Sequence, residues 1–341
     1  FRVSSLLGEK VASNKPLAVL IDVIAILTTV FGVTTSLGLG TVQISAGMAH
    51  IFGIEETFTN KVYIIIFITL LGLTSVSLGL NAGIKKLSQV NMIIATGLLL
   101  LVFALGPTIF IVNALVQNFG AYLNTIIQSA TWTEVYDPTS WQNGWTLFYF
   151  TWWFSWAPFV SLFIARISYG RTIKEFIVGV LFVPSLIVFL WMGVFGNAAI
   201  YQVISNTSDI SQVVANNLPV ALFTLYDVYP FAQPLSIISL ILIVTFFVTS
   251  SDSGALVASM LSSKDQTDIN DDSPMISRVT WAILLGVVAA VLLYAGGLTA
   301  LQTSVVITGV PFAIIMVFAC KNLLKGLKES DNTPPGHINS D

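Results

Sequence analysis

Eight stretches of about twenty or more residues pass through this chain with almost no charged side chains, and they decide what it can become. A helix crossing the hydrocarbon core of a bilayer needs about 20 mostly apolar residues. Residues 16–41, 60–80, 90–113, 145–165, 176–200, 232–256, 276–297 and 301–320 meet that requirement. Only 9% of the 341 residues are charged, against roughly a quarter in soluble domains, and the mean hydropathy is +0.86. The reading is a single all-α integral membrane domain with the lipid bilayer as its solvent.

The positive charges test that reading independently, because loops on the cytoplasmic side of a membrane hold the excess of Lys and Arg. Arg2, Lys10 and Lys15 precede the first span, and Lys85 and Lys86 follow the second. Arg166, Arg171 and Lys174 follow the fourth span, Lys264 and Arg278 the sixth, and Lys321, Lys325 and Lys328 the last. Only Lys61 falls in an intervening loop, so 13 of the 14 basic residues lie on one side. Eight spans with both ends cytoplasmic follow, in a multi-pass protein of the cell (inner) membrane.

The same inventory excludes several functions. A net charge of -3 with no basic run leaves nothing to neutralise successive phosphates, so nucleic acid is not a partner. One cysteine, Cys320, and two histidines, His50 and His337, supply neither an internal disulfide nor a His/Cys metal site. The sequence opens at Phe1 without a signal-peptide pattern, which reads as an internal starting point, so the chain is expected to be a fragment. In the long loop at 114–144, mixed polar and apolar residues near helical period predict an amphipathic surface helix over 114–131. The tail at 329–341, with Pro334-Pro335-Gly336, is expected to be disordered.

Three stretches stand out against this apolar background. Trp145, Trp152, Trp153 and Trp156 place four of the chain's eight tryptophans within 12 residues. Interfacial belts explain Trp145. The other three start about two turns into the span, near the middle of the bilayer. At 100° per residue Phe148, Trp152 and Trp156 share one face and Trp153 points to one side. Pro158 removes the hydrogen bond that its nitrogen would have donated to Phe154, and transporters place their sites at broken helices. Indole faces suit a cation that cannot donate hydrogen bonds, a quaternary ammonium. The plain alternative is that the rings only pack between helices.

Residues 245–254, Thr-Phe-Phe-Val-Thr-Ser-Ser-Asp-Ser-Gly, are dense in oxygen. Hard cations take oxygen ligands, so the Thr249 and Ser250 hydroxyls with a backbone carbonyl one turn earlier can hold Na+. Alternatively, such hydroxyls bond back to their own helix. Asp252 is either a functional intramembrane acid or a hydrated helix-end group. In the third stretch, 28–40, small residues and hydroxyls read first as helix packing. Asp22 reads as hydrated and His50 as structural.

Together these motifs carry a family resemblance. The run from Trp145 to Arg171, with Phe246–Gly254 and Val30–Gly40 at matching intervals, resembles the betaine/choline/carnitine transporter (BCCT) family along essentially the whole chain. The resemblance implies a leucine-transporter-like fold of two inverted five-helix repeats, of which this chain would hold the last three helices of the first and all of the second. It implies that Trp153 contributes to a substrate cage, with Trp152, Trp156 and Phe148 along the pathway. It further implies that the Phe246 carbonyl and the Thr249 and Ser250 hydroxyls ligate Na+. Thr29 and Phe159 match a second sodium site of some members, but Val33 stands where that site needs another hydroxyl. No Arg in the first span replaces an ion, which favours symport over exchange. The surface helix at 114–131 corresponds to an element through which some members trimerise, implying a homotrimer.

The expected function is import of a cationic or zwitterionic small molecule, a quaternary ammonium such as betaine, choline or carnitine or a sulfonium analogue. Na+ would be the coupling ion, with no cofactor. A sodium-coupled amino-acid symporter of the same fold is the alternative, and it leaves the tryptophan cluster unexplained. An intramembrane enzyme lacks a nucleophile and base or a metal set within the spans.

Overall fold

The computed structural model describes residues 2–79, 85–136, 138–263 and 273–331, and contains no strand among them. Eight long helices carry the fold: α1 (Lys15–Phe52), α2 (Phe58–Gly79), α3 (Lys85–Leu105), α4 (Thr108–Thr131), α5 (Phe150–Ile167), α6 (Ile173–Ile204), α7 (Ala232–Ser262) and α8 (Met275–Asp331). With the wide turn that leads into α5, all eight are long and apolar enough to cross a membrane. Helices prevail because a span in lipid must satisfy its backbone hydrogen bonds internally.

Two boundaries differ from expectation, each for a local reason. The stretch at 90–113 is two helices: α3 stops at Leu105 and α4 starts at Thr108. Pro107 disfavours helical geometry in the residue before it, and the Thr108 hydroxyl reaches back to the Phe103 carbonyl at 2.7 Å to close the turn. The surface helix expected at 114–131 therefore begins at Thr108, and Ile111 is its buried residue. The last two spans form one hydrogen-bonded run, α8, whose two arms meet where Gly296 and Gly297 leave helical geometry, Gly297 at φ 60°, a conformation that glycine adopts without strain. Residues 329–331, assigned by sequence to the disordered tail, are the end of α8, and 332–341 lie outside the described residues.

The chain sorts into two compact units, residues 1–35, 140–166 and 254–341 in the first and 36–139 with 167–253 in the second. In the first, Ile21, Ala25, Phe312 and Ile315 form a core under Val3, Leu7 and Val11. Hydroxyls of α1 tie it to the second arm of α8, Thr28 donating to the Thr308 carbonyl at 3.0 Å and Thr35 to that of Leu301 at 3.1 Å. The Asp22 carboxylate, read from sequence as hydrated, accepts both the backbone N–H and the hydroxyl of Ser4, at 2.9 and 3.0 Å.

In the second unit α3 and α4 pack on α6, around a core that includes Leu98, Val102, Ile111, Val194, Ala198 and Tyr226. Tyr226 is hydrogen-bonded to Ser239 at 2.9 Å, and burial pushes its phenol up, well beyond the ordinary tyrosine range. Gly47 of α1 admits the Phe223 ring so closely that a Cβ there would overlap it. His50 stacks on that ring and meets the Asp227 carboxylate at 3.1 Å, so it has the structural role expected of it.

Because lipid is as apolar as the core, burying a ring in this protein gains packing rather than escape from water. Phe312→Ala should therefore cost the cavity part of a core truncation, on the order of 2 kcal/mol. Phe318→Ala, on the exposed side of the same helix, should cost little. Thermal unfolding of the two variants in detergent checks the difference.

Candidate functional site

The helix that carries the tryptophans starts irregularly. Residues Asn143–Tyr149 form a wide π-helical turn that runs into α5 without a break, and single π turns inside helices recur at functional sites. The Thr151 hydroxyl bonds back to the carbonyls of Leu147 and Phe148 across the junction. The break expected at Pro158 is absent: α5 continues through it to Ile167. The distortion falls just before Trp152, Trp153 and Trp156.

Tyr149, Trp152, Trp153 and Trp156 line one cleft of ≈ 150 Å³. Their spacing of i, i+3, i+4 and i+7 explains why: those positions form one stripe on a helix. Tyr149 sets its ring edge-on to both Trp152 and Trp153, at centroid separations of 6.0 and 6.1 Å. Phe148 stacks on Trp152, at 5.6 Å and 14°. Trp153, expected to stand apart from Trp152 and Trp156, borders the same cleft and is 60% exposed. Trp152 and Trp156 are half-buried, and both turn their indole N–H to the Gly32 carbonyl of α1, at 3.3 and 3.2 Å. With those donors engaged, their faces are what the cleft presents. Tyr149 was not singled out from sequence, although its position four residues before Trp153 placed it on the same stripe.

The oxygen-rich stretch lies on α7. Thr249 Oγ1 and Ser250 Oγ both donate to the Phe246 carbonyl, at 2.8 and 3.0 Å, which brings the three expected oxygens to one point on the helix surface. Thr249 and Ser250 are half-buried residues and Phe246 is 39% exposed. Each hydroxyl spends its proton on the carbonyl and keeps lone pairs, so bonding to their own helix does not remove them as cation ligands.

Thr29 and Phe159 are buried. The Thr29 hydroxyl donates to its own helix at Ala25, 2.9 Å away. Val33, one turn on, is buried and packs where Gly254 lacks a side chain. Phe159 sits edge-on to Trp156 at 5.7 Å.

Asp252 is not a hydrated helix-end group. It is fully buried, and its carboxylate accepts the Ser75 hydroxyl of α2 at 2.5 Å and that of Ser253 at 3.1 Å. It therefore joins α2 to α7, two residues beyond the hydroxyl pair.

The described residues thus combine helices long and apolar enough to cross a membrane with an aromatic cleft and a cluster of hydroxyl oxygens. Residues 2–332 match the profile of the BCCT, betaine/carnitine/choline family transporter, and the chain belongs to that family. It is 40% identical over 324 residues to a glycine betaine transporter of Acinetobacter baylyi, covering 95% of this chain and 48% of that protein. A glycine betaine/proline/choline transporter of Vibrio parahaemolyticus is 42% identical over 311 residues, covering 91% and 55%. A glycine betaine transporter of Bacillus subtilis is 40% identical over 330 residues, covering 96% and 62%. The chain thus spans about half the length of these relatives.

The α2–α7 contact gives a direct test. Asp252→Ala leaves buried hydroxyls without their acceptor, a loss on the order of 1 kcal/mol or more, whereas Asp252→Asn keeps a carbonyl oxygen for Ser75. Unfolding midpoints should fall clearly for Ala and by less for Asn. Equal midpoints for wild type and the Ala variant would show that this carboxylate does not hold the helices together.

Proposed function

We propose that this protein is a secondary transporter that imports a quaternary ammonium compound of the glycine betaine or choline type together with Na+, by alternating access. The observation that carries the reading is the cleft of Tyr149, Trp152, Trp153 and Trp156, in which two indoles have already given their N–H groups to Gly32. Ring faces without free donors favour a methylated cation, which needs no hydrogen bond and gains on the order of 0.5–2 kcal/mol per desolvated ring. Trp153 supplies the most open ring of the cage, with Trp152, Trp156 and Phe148 beside it. The family and the names of the relatives support the same substrate class.

The coupling ion is Na+, held by the Phe246 carbonyl and the Thr249 and Ser250 hydroxyls. The convergence of the three oxygens on one point of α7 supports this, the hydroxyl protons turning away from the carbonyl when the ion binds, as does the preference of hard cations for neutral and anionic oxygen. Val33 stands where the second ion site needs another hydroxyl, which leaves the Thr29 oxygen as its one side-chain hydroxyl, and one ion is the reading here. Both termini are cytoplasmic in this arrangement, since 13 of 14 basic residues lie on that side.

Uptake of labelled glycine betaine, choline, carnitine and proline into proteoliposomes under an imposed Na+ gradient tests the function. Saturable uptake of a quaternary ammonium that collapses without the gradient is expected. Uptake of proline alone would replace the reading with a sodium-coupled amino-acid symporter. Trp153→Leu should raise the half-saturating substrate concentration roughly tenfold, the equivalent of about 1.4 kcal/mol of lost cation–π attraction, and Trp153→Phe by less. Unchanged half-saturation in the Leu variant would take Trp153 out of the cage.

The ion site is tested separately. Thr249→Ala with Ser250→Ala should raise the Na+ needed for half-maximal uptake far more than it alters substrate affinity at saturating Na+. Thr29→Ala should do much less. With a zwitterionic substrate each cycle carries net positive charge inward, so uptake should quicken as the interior is made negative, by up to about 2.3 kcal/mol per charge per 100 mV. An unchanged Na+ dependence in the double variant would overturn the assignment.

A further inference from the structure

The carbonyl that receives the two indoles belongs to a residue in the middle of α1, a glycine in a helix interior, where glycine weakens the helix relative to alanine. The surroundings explain the choice. A Cβ on Gly32 would run into the Ser155 side chain and lie hard against its backbone. Ser155 is fully buried, and its hydroxyl donates to the Trp152 carbonyl at 2.6 Å. Gly32 and Ser155 therefore set how closely α1 and α5 approach. At that separation the one carbonyl, which also belongs to the helical ladder of α1, comes within 3.3 and 3.2 Å of the indole nitrogens of Trp152 and Trp156. These two residues lie four apart, one turn on the same side of α5, so a single acceptor on the facing helix can serve both.

We propose that Gly32 is a positioning residue for the aromatic cleft. By letting α1 come close enough for its carbonyl to take both indole N–H groups, it fixes the planes of two of the four rings and keeps their polar edges out of the cleft. The ligand then meets ring faces at Trp152 and Trp156 and finds no donor there, which selects for a methylated ammonium over a ligand that must be hydrogen-bonded. Without the pin the indoles can turn about their side-chain bonds and offer N–H edges instead. This inference rests on the cleft being the substrate site.

The test uses Gly32→Ala and the double variant Gly32→Ala with Ser155→Gly, which removes the obstructing side chain. Two readouts are taken on purified protein. The first is hydrogen exchange of the indole N–H groups of Trp152 and Trp156, followed by NMR with indole-15N labelling. The second is the half-saturating concentration of the transported quaternary ammonium in proteoliposomes. In wild type both indole protons should exchange slowly. In Gly32→Ala they should exchange at least tenfold faster, and half-saturation should rise roughly five- to tenfold with the Na+ dependence unchanged. The double variant should recover both to within about threefold, which a general loss of folding would not do.

Unaltered indole exchange in Gly32→Ala overturns the pin. Faster exchange with unaltered half-saturation overturns its role in binding. If wild type takes up no quaternary ammonium, the transport reading fails on its own, and the exchange experiment still decides whether Gly32 holds the rings.

Discussion

A hydroxyl inside an apolar span has no water to bond, so its proton is drawn to a carbonyl or carboxylate of the protein. Much of this structure follows from where those protons go. Thr34 and Thr41 send theirs four residues back along α1, and such hydroxyls add nothing between helices. Thr28 and Thr35, on the same helix, donate to the backbone of α8, and Ser75 donates to Asp252 across the α2–α7 contact. These bridges mark where one helix is held to another. Thr249 and Ser250 form a third case, because both converge on one carbonyl at a half-open face and leave an oxygen-rich point.

Close approach is the other half of helix association in lipid, where apolar burial gives little drive and packing must supply it. Glycines of α1 mark the places. In the first unit Gly32 faces Ser155, and in the second Gly40 faces the Phe247 ring and Gly47 the Phe223 ring. At these positions the missing Cβ is filled by a neighbour, so the small residues that look featureless in the sequence are the contact points of the fold.

This explains what the sequence made legible. Hydropathy found the helices because lipid acts on every residue of a span alike. The Trp run was visible because four indoles in 12 residues have no reason to be there by chance, and the Phe246, Thr249 and Ser250 trio because residues three and four apart on a helix must share a face. Pro107 divided a span that hydropathy joined, since one turn of Gly-Pro hardly lowers a twenty-residue average. Asp252 looked ambiguous because its burial depends on Ser75, 177 positions away. Tyr149 could have been read from helical spacing. Gly32 could not, since nothing local says that its carbonyl meets two indoles more than a hundred residues on.

The wide turn at Asn143–Tyr149 amounts to one residue more than an α-helix would use over the same length, and one residue is worth about 100° of rotation. Residues before the turn and those after it are thus out of angular phase with each other along what is otherwise one helix. A homologous chain with one residue fewer in that turn could keep every aromatic of the stripe and still aim it at a different neighbour. Along this helix, angular phase carries information that residue identity does not, and alignment by identity alone would treat two differently aimed clefts as the same.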